Sequence, residues 1–331
     1  MKLDALLQLL GEEISTPDEE TFDLFSQQLP SQSLGFVDPK STTLELTVAG
    51  RDLTIHQSPG VLSSNRAGGT TGAVVWKITP LFAEWISNSS NILFSHGILS
   101  PRSLVLELGC GISGLVGLLL APRIARYVLT DQPYVARFIE QNIAENHHQP
   151  QNRSQGRQQQ QQKRPKGGQN KQKQQQQAAK LTSTPVRESS GGGGGGGLIH
   201  FMPLDWETDE VTRALTGAAV DDATAAAGFD AVVACDCIYN LALIEPFVAT
   251  CADACRLRGG GKAAEAENSH DSPPTVCIVA QQLRDPIVFE AWLASFVKPF
   301  RAWRVPDSML PDGLRSHSGF VVHVGVLREE A

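Results

Sequence analysis

The chain has 331 residues, with 28 Lys or Arg against 35 Asp or Glu and a formal net charge of −7. Residues 149–197 hold nine of the bases and one acid, which leaves 19 bases and 34 acids, a charge of −15, on the remaining 282 residues. An acidic body of that kind excludes a uniformly basic nucleic-acid-binding domain, because nothing on it neutralises phosphates systematically. A hydrophobic fraction of 41% in recurrent runs excludes collagen-like, coiled-coil and wholly disordered chains.

The first residues, 1–13, carry Lys2 as their only base and one short apolar stretch, 5–10, too little for a secretory signal. The longest apolar run elsewhere, 115–121, is far below the ~20 residues that span a bilayer. Six cysteines, several in apolar runs, read as reduced core thiols of an intracellular protein. A cytoplasmic protein with a possible nuclear pool is expected. A monomer is expected too, since no long apolar seam is present.

Residues 1–40 read as a helical, acidic N-terminal segment. Leu44, Leu46 and Val48, then Leu53 and Ile55, alternate around Ala49-Gly50-Arg51-Asp52, which predicts a β-hairpin. A helix is predicted over 79–86, with Pro80 in its first turn. A strand–helix rhythm follows: strand 103–107, turn 108–111, helix 113–120, strand 127–130, helix 134–146. Residues 149–197, with 14 Gln, 10 Gly and four apolar residues, cannot bury enough surface to offset their ordering entropy and read as a disordered insert. The rhythm then resumes, with strands at 198–203, 229–235, 275–280 and 320–327 and helices at 241–256 and 286–297. Loops are predicted at 217–228 and 259–274. The reading is an α/β, doubly wound Rossmann-like sheet of parallel strands with an N-terminal β-hairpin extension. It gives one domain over 41–330, made of an extension at 41–100 and a core at 101–148 and 198–330, interrupted by the insert.

Such folds bind ligands beyond the carboxyl ends of their strands. At the first such end stands Glu107-Leu108-Gly109-Cys110-Gly111-Ile112-Ser113-Gly114, a G-x-G-x-x-G turn. The pattern suits several nucleotide cofactors, but a carboxylate at Glu107 repels a pyrophosphate and suits an ammonium. S-adenosylmethionine carries an ammonium and a sulfonium and no phosphate. Asp131 lies 22 residues after Gly109, the spacing of an acid that binds ribose hydroxyls; an ordinary helix N-cap is the plainer alternative. Asp205-Trp206, after the strand that follows the insert, suits an adenine amino group and ring, though Trp206 equally suits a core position. Asp236-Cys237-Ile238-Tyr239 places polar groups at the mouth of a buried strand. Trp76 either lines the pocket or packs under the helix starting near Pro80. The spacings of Cys235, Cys237, Cys251 and Cys255 lack the paired C-x₂₋₄-C arms of a zinc site, so no metal is expected.

Taken together, Glu107–Gly114, Asp131, Leu204-Asp205-Trp206 and the D-x-x-Y string 236–239 resemble the seven-β-strand protein-lysine methyltransferases. Residues 75–82 and 234–240 are most similar to the fungal ribosomal lysine N-methyltransferase 5 group. The resemblance covers about 40–147 and 198–328, and the insert departs from it. It implies a seven-stranded methyltransferase that uses S-adenosyl-L-methionine to methylate a lysine, with a large-subunit ribosomal protein as the substrate. Carried over by position, Trp76, Glu107, Gly109, Cys110, Gly111, Asp131, Asp205, Trp206, Ala234 and Cys235 would contact the cofactor. Asp236 and Tyr239 would be catalytic and face the lysine, with Asp236 holding its ammonium on arrival. The competing readings are a methyltransferase of the same fold acting on nucleic acid or a small molecule, an NAD-dependent oxidoreductase, and a non-catalytic interaction protein working through the Gln-rich insert. D-x-x-Y lacks the prolines of amino-methylating DNA enzymes, so DNA is not an expected partner. Nor is a membrane.

Overall fold

The computed structural model describes residues 2–30, 35–66, 69–147, 198–216, 228–258 and 273–329. The expected insert at 149–197 and nearly all of the two expected loops lie outside these residues. The centre is a seven-stranded sheet of order β5-β4-β3-β6-β7-β9-β8. Its strands are β3 (Leu104–Leu108), β4 (Arg126–Asp131), β5 (Leu198–Pro203), β6 (Ala231–Cys235), β7 (Val276–Gln282), β8 (Phe300–Arg304) and β9 (Phe320–Leu327). Every residue of β3 and of β6 is buried, which explains why they read as continuous apolar runs rather than alternating ones.

Alternate residues of each strand enter one of two cores. Val105 of β3 and Val233 and Cys235 of β6 face one core, shared with helices α4 (Ile78–Ser87), α6 (Leu115–Leu120) and α7 (Ala136–His147). Leu104, Leu106, Val232 and Ala234 face the other, shared with α8 (Ile244–Arg256) and α9 (Pro286–Phe296). The N-terminal helices α1 (Lys2–Leu10) and α2 (Pro17–Phe25) contribute Leu6 to the first core and Leu24 to the second. The doubly wound arrangement is therefore as expected.

Two features depart from the sequence reading. Strand β9 runs antiparallel to both β7 and β8, and β8 is an edge strand absent from the expectation. No α-helix separates β8 from β9, so the crossover that a parallel pair requires is missing. Strand β8 was masked by Arg301 and Arg304, which an inner strand would not carry. Both pair with acids of the N-terminal segment: Arg301 with Glu13 at 2.8 Å and Arg304 with Asp23 at 2.8 Å. The Ile14 N–H also donates to the Ala302 carbonyl at 2.8 Å, so this segment covers the sheet edge.

The hairpin comprises β1 (Thr43–Val48) and β2 (Arg51–His56), closed by Ala49 and Gly50 at φ of 50° and 73°. Positive φ at both central residues matches the right-handed twist of the strands. The hairpin is docked by two asparagines four apart on α7. Asn146 exchanges hydrogen bonds with both backbone groups of Thr54 at 3.0 and 2.9 Å, and Asn142 with those of His56 at 2.7 and 3.0 Å. Their amides act as a further strand along β2. Asn142 also donates to the Ile112 carbonyl at 2.8 Å, tying the hairpin to the glycine turn. Short helices α3 (Pro59–Leu62) and α5 (Ile92–Ser95) complete the extension.

Asn142 is fully buried, so Asn142→Ala strands three backbone groups without partners. Urea unfolding should show a loss of about 2–4 kcal/mol. A loss below about 0.5 kcal/mol would show that the hairpin is held by packing alone.

Candidate active site

A pocket of about 380 Å³ opens beyond the carboxyl ends of β3, β4 and β6, within the range of small-molecule sites. Its floor is the turn after β3. Gly109 and Gly111 both have positive φ, 66° and 59°. A Cβ at Gly109 would come within 2.7 Å of the Cys237 sulfur, and one at Gly111 within 3.1 Å of the Gly72 carbonyl. The close approach of three chain segments thus requires glycine there. The Ile112 N–H donates to the Gly72 carbonyl at 2.8 Å, which fixes the segment 69–76 as one wall.

Glu107 is 2% exposed. Among the described residues its one side-chain hydrogen bond comes from the Tyr127 hydroxyl, at 2.8 Å to Oε2. Burial pushes its carboxyl up to about 8, against the opposing effect of that hydrogen bond. Asp131 accepts from the Gly111 N–H at 2.8 Å and from the Gln132 N–H at 2.7 Å, so it clamps the glycine turn to β4. Burial still raises it, to about 6, which leaves it ionised at neutral pH. Asp205 accepts from the Glu207 N–H at 3.0 Å and from the Gln132 amide at 3.4 Å. Trp206 lies 5.1 Å from the Phe247 ring, and its buried Nε1 has no partner among the described residues. An orphaned buried donor costs free energy unless something in the pocket accepts from it.

The pocket brings together Trp76, Glu107, Gly109, Cys110, Gly111, Asp131, Asp205, Trp206, Cys235, Asp236 and Tyr239. Ala234 is the exception. It is fully buried and belongs to the core shared with α8 and α9, because strand alternation turns it away from the side on which Cys235 stands. Thr79, Gln132 and Tyr134 also line the pocket and were not foreseen. Burial pushes the thiols of Cys110, Cys235 and Cys237 well up, so they are neutral and unsuited to nucleophilic chemistry. The Tyr239 phenol is raised likewise, offset in part by a hydrogen bond with Thr71.

Asp236 differs from expectation. It sits in the left-handed region at φ 61°, with its N–H donating to the Ala280 carbonyl at 2.7 Å. Its carboxylate is already engaged: Arg284 donates to Oδ1 at 2.7 Å and to Oδ2 at 2.5 Å, and the Gln282 N–H reaches Oδ1 at 3.2 Å. The string Gln281-Gln282-Leu283-Arg284, directly after a buried strand, is the sequence signal that was available for Arg284, by the same strand-end rule that found Asp236.

In sum, among the described residues the pocket wall carries five acids, Glu107, Asp131, Asp205, Glu207 and the Arg284-paired Asp236, and no Lys, Arg or His. That lining suits a cationic ligand better than a pyrophosphate. The orphaned Trp206 donor, the Cβ-free turn and a buried carboxylate lacking a cation all fit S-adenosylmethionine.

Residues 56–165 match the family described as lysine methyltransferase. Over 110 residues the chain is 37% identical to ribosomal lysine N-methyltransferase 5 of Zygosaccharomyces rouxii, covering 29% of this chain and 34% of that protein. Over 166 residues it is 27% identical to the protein of the same name from Candida glabrata, covering 35% and 47%. Over 134 residues it is 34% identical to diaminohydroxyphosphoribosylamino-pyrimidine deaminase of Schizosaccharomyces pombe, covering 40% and 32%. The chain therefore spans less than half the length of each of these relatives. A zinc nucleobase deaminase carries H-x-E and P-C-x-x-C strings; neither H-x-E nor C-x-x-C occurs in this sequence.

Because the folded Glu107 holds its proton up to about pH 8 against about 4.5 unfolded, its ionisation opposes folding. Stability is unaffected below the lower value, falls as pH rises toward the upper one and stays reduced above it. Glu107→Gln should match the parent near pH 5 and exceed its stability by roughly 2–4 kcal/mol at pH 8, read as the difference between two urea titrations. Parallel curves from pH 5 to 8 would refute the buried, uncompensated carboxylate.

Proposed function

We propose that the chain is an S-adenosylmethionine-dependent protein-lysine N-methyltransferase acting on a large-subunit ribosomal protein. The pocket's lining is the single observation that carries the reading: among the described residues it holds five acids, with Asp236 paired to Arg284, and no Lys, Arg or His, which favours a ligand bearing an ammonium and a sulfonium over a phosphorylated cofactor. The lysine methyltransferase family match and the relatives' names support the same activity and a ribosomal substrate. Among the described residues no helix is long and apolar enough to cross a membrane, in keeping with action on ribosomal proteins in the cytoplasm.

When bound, S-adenosylmethionine supplies a methyl group activated by its sulfonium. Trp76, the Gly109–Gly111 turn, Cys235, Asp131, Asp205 and Trp206 would hold it, with Glu107 as the buried acid nearest in character to its ammonium. The chain must then present a lysine as a neutral amine, although a free lysine has a pKa near ~10.4. Asp236 and Tyr239 border this approach. Tyr239, whose phenol is held neutral, offers its hydroxyl to the amine and excludes water from one side. At the pocket Tyr239 is 40% exposed, and Leu241, between the lining residues Asn240 and Ala242, is 53% exposed. Exposed apolar side chains beside a pocket suit a protein surface better than a free amino acid.

The test is transfer of labelled methyl from S-adenosylmethionine to ribosomal proteins from cells lacking this chain. Label on a lysine of one large-subunit protein is expected. Label on RNA, or none, would overturn the assignment. Gly111→Ala, which forces a Cβ against the Gly72 carbonyl at positive φ, should cut transfer at least about tenfold by weakening cofactor binding.

A further inference from the structure

Arg284 lies in the turn between β7 and α9. Its two terminal nitrogens grip the two Asp236 oxygens in the parallel, bidentate geometry that makes guanidinium–carboxylate pairs strong. One of them also donates to Gln282 Oε1 at 2.8 Å, and the guanidinium carbon lies 4.8 Å from the centre of the Trp76 ring. The Asp236 side chain is 1% exposed and that of Arg284 21%. The pair stands between the main pocket and a second cavity of about 80 Å³, and Tyr239 lines both cavities.

A clamp of this strength would serve to anchor the strained turn at Asp236. Its charge does something further. A lone carboxylate at this corner would stabilise an ammonium and raise the pKa of an incoming lysine, which holds the nucleophile in its unreactive form. Paired with Arg284, Asp236 offers no net negative charge, and the guanidinium itself disfavours a second cation. The other ionisable groups facing this corner are Cys235, Cys237 and Tyr239, all raised by burial, with Glu107 and Asp131 across the pocket. Asp285, in the small cavity, is committed to capping α9 through the Ile287 N–H at 2.8 Å.

We propose that Arg284 is a positioning residue that neutralises Asp236, so that the substrate lysine reacts as the free amine near neutral pH. This rests on the lysine methyltransferase reading. Arg284 acts through Asp236 and touches neither reacting atom. In the step it favours, the lysine nitrogen loses its proton to water before forming the N–C bond, as the sulfonium S–C bond breaks and sulfur keeps the electron pair.

The experiment is the pH dependence of single-turnover methyl transfer to the ribosomal protein labelled by the parent, with cofactor affinity measured alongside. Arg284→Met leaves Asp236 unopposed and should move the acid limb of the profile about one unit higher, a roughly tenfold loss at pH 7.5 that recovers by pH 9.5. Arg284→Lys, which keeps the charge, should hold the limb near its parental position. Asp236→Asn leaves the guanidinium unopposed and should move the limb the other way, which settles the matter even where Arg284→Met fails to fold. Equal loss at every pH in the variants, or shifts of the same sign, would reduce Arg284 to a structural clamp and overturn the proposal. A parent that transfers no methyl to lysine would overturn the underlying reading instead.

Discussion

The site is organised around a carboxylic acid that the fold buries with no cation beside it among the described residues. Glu107 is the penultimate residue of β3, among fully buried neighbours, and among the described residues its side chain receives one hydrogen bond, from a phenolic hydroxyl. Taking a carboxylate out of water is costly unless it is paired, so the group stays protonated to about pH 8. A ligand that brings its own positive charge removes that cost. The same constraint disfavours phosphorylated ligands, in line with a pocket wall that carries no Lys, Arg or His among the described residues.

Around this acid the fold arranges two kinds of support. Backbone contacts between Gly72, Gly111 and Ile112, with the Asp131 clamp, hold the cofactor side, and Asn142 extends that support through the Ile112 carbonyl to the hairpin. On the other side, Asp236, Arg284 and the Trp76 ring form a stacked ion pair. Trp76 therefore belongs to both halves, lining the pocket while it carries the guanidinium. Its Nε1 donates to the Thr71 carbonyl at 3.0 Å, which fixes its plane.

Much of this was legible in the chain because it depends on local grammar. A strand end followed by glycines, an acid at the end of the next strand and a polar string after a buried one each occupy a few consecutive residues. What escaped depends on contacts far apart in sequence. The Arg284 partnership spans 48 residues and is created by the parallel pairing of β6 with β7. Ala234 and Cys235 are adjacent and alike in the sequence, and only strand alternation separates core from pocket. Strand β8 carries arginines whose acids lie near the N-terminus, and β9 inserts antiparallel between β7 and β8 because no helix intervenes. Residues Asn142 and Asn146 look like ordinary helix-surface amides until β2 is seen beside them.

The central claim is that the pocket selects a cationic, phosphate-free ligand through buried Glu107. Calorimetry of S-adenosylmethionine binding at pH 7, repeated in two buffers of different ionisation enthalpy, tests it most directly. Binding should release about one proton per ligand as the carboxyl ionises against the ammonium, and Glu107→Gln should abolish the release. Binding of NAD in place of S-adenosylmethionine, or binding with no proton released, would contradict the account.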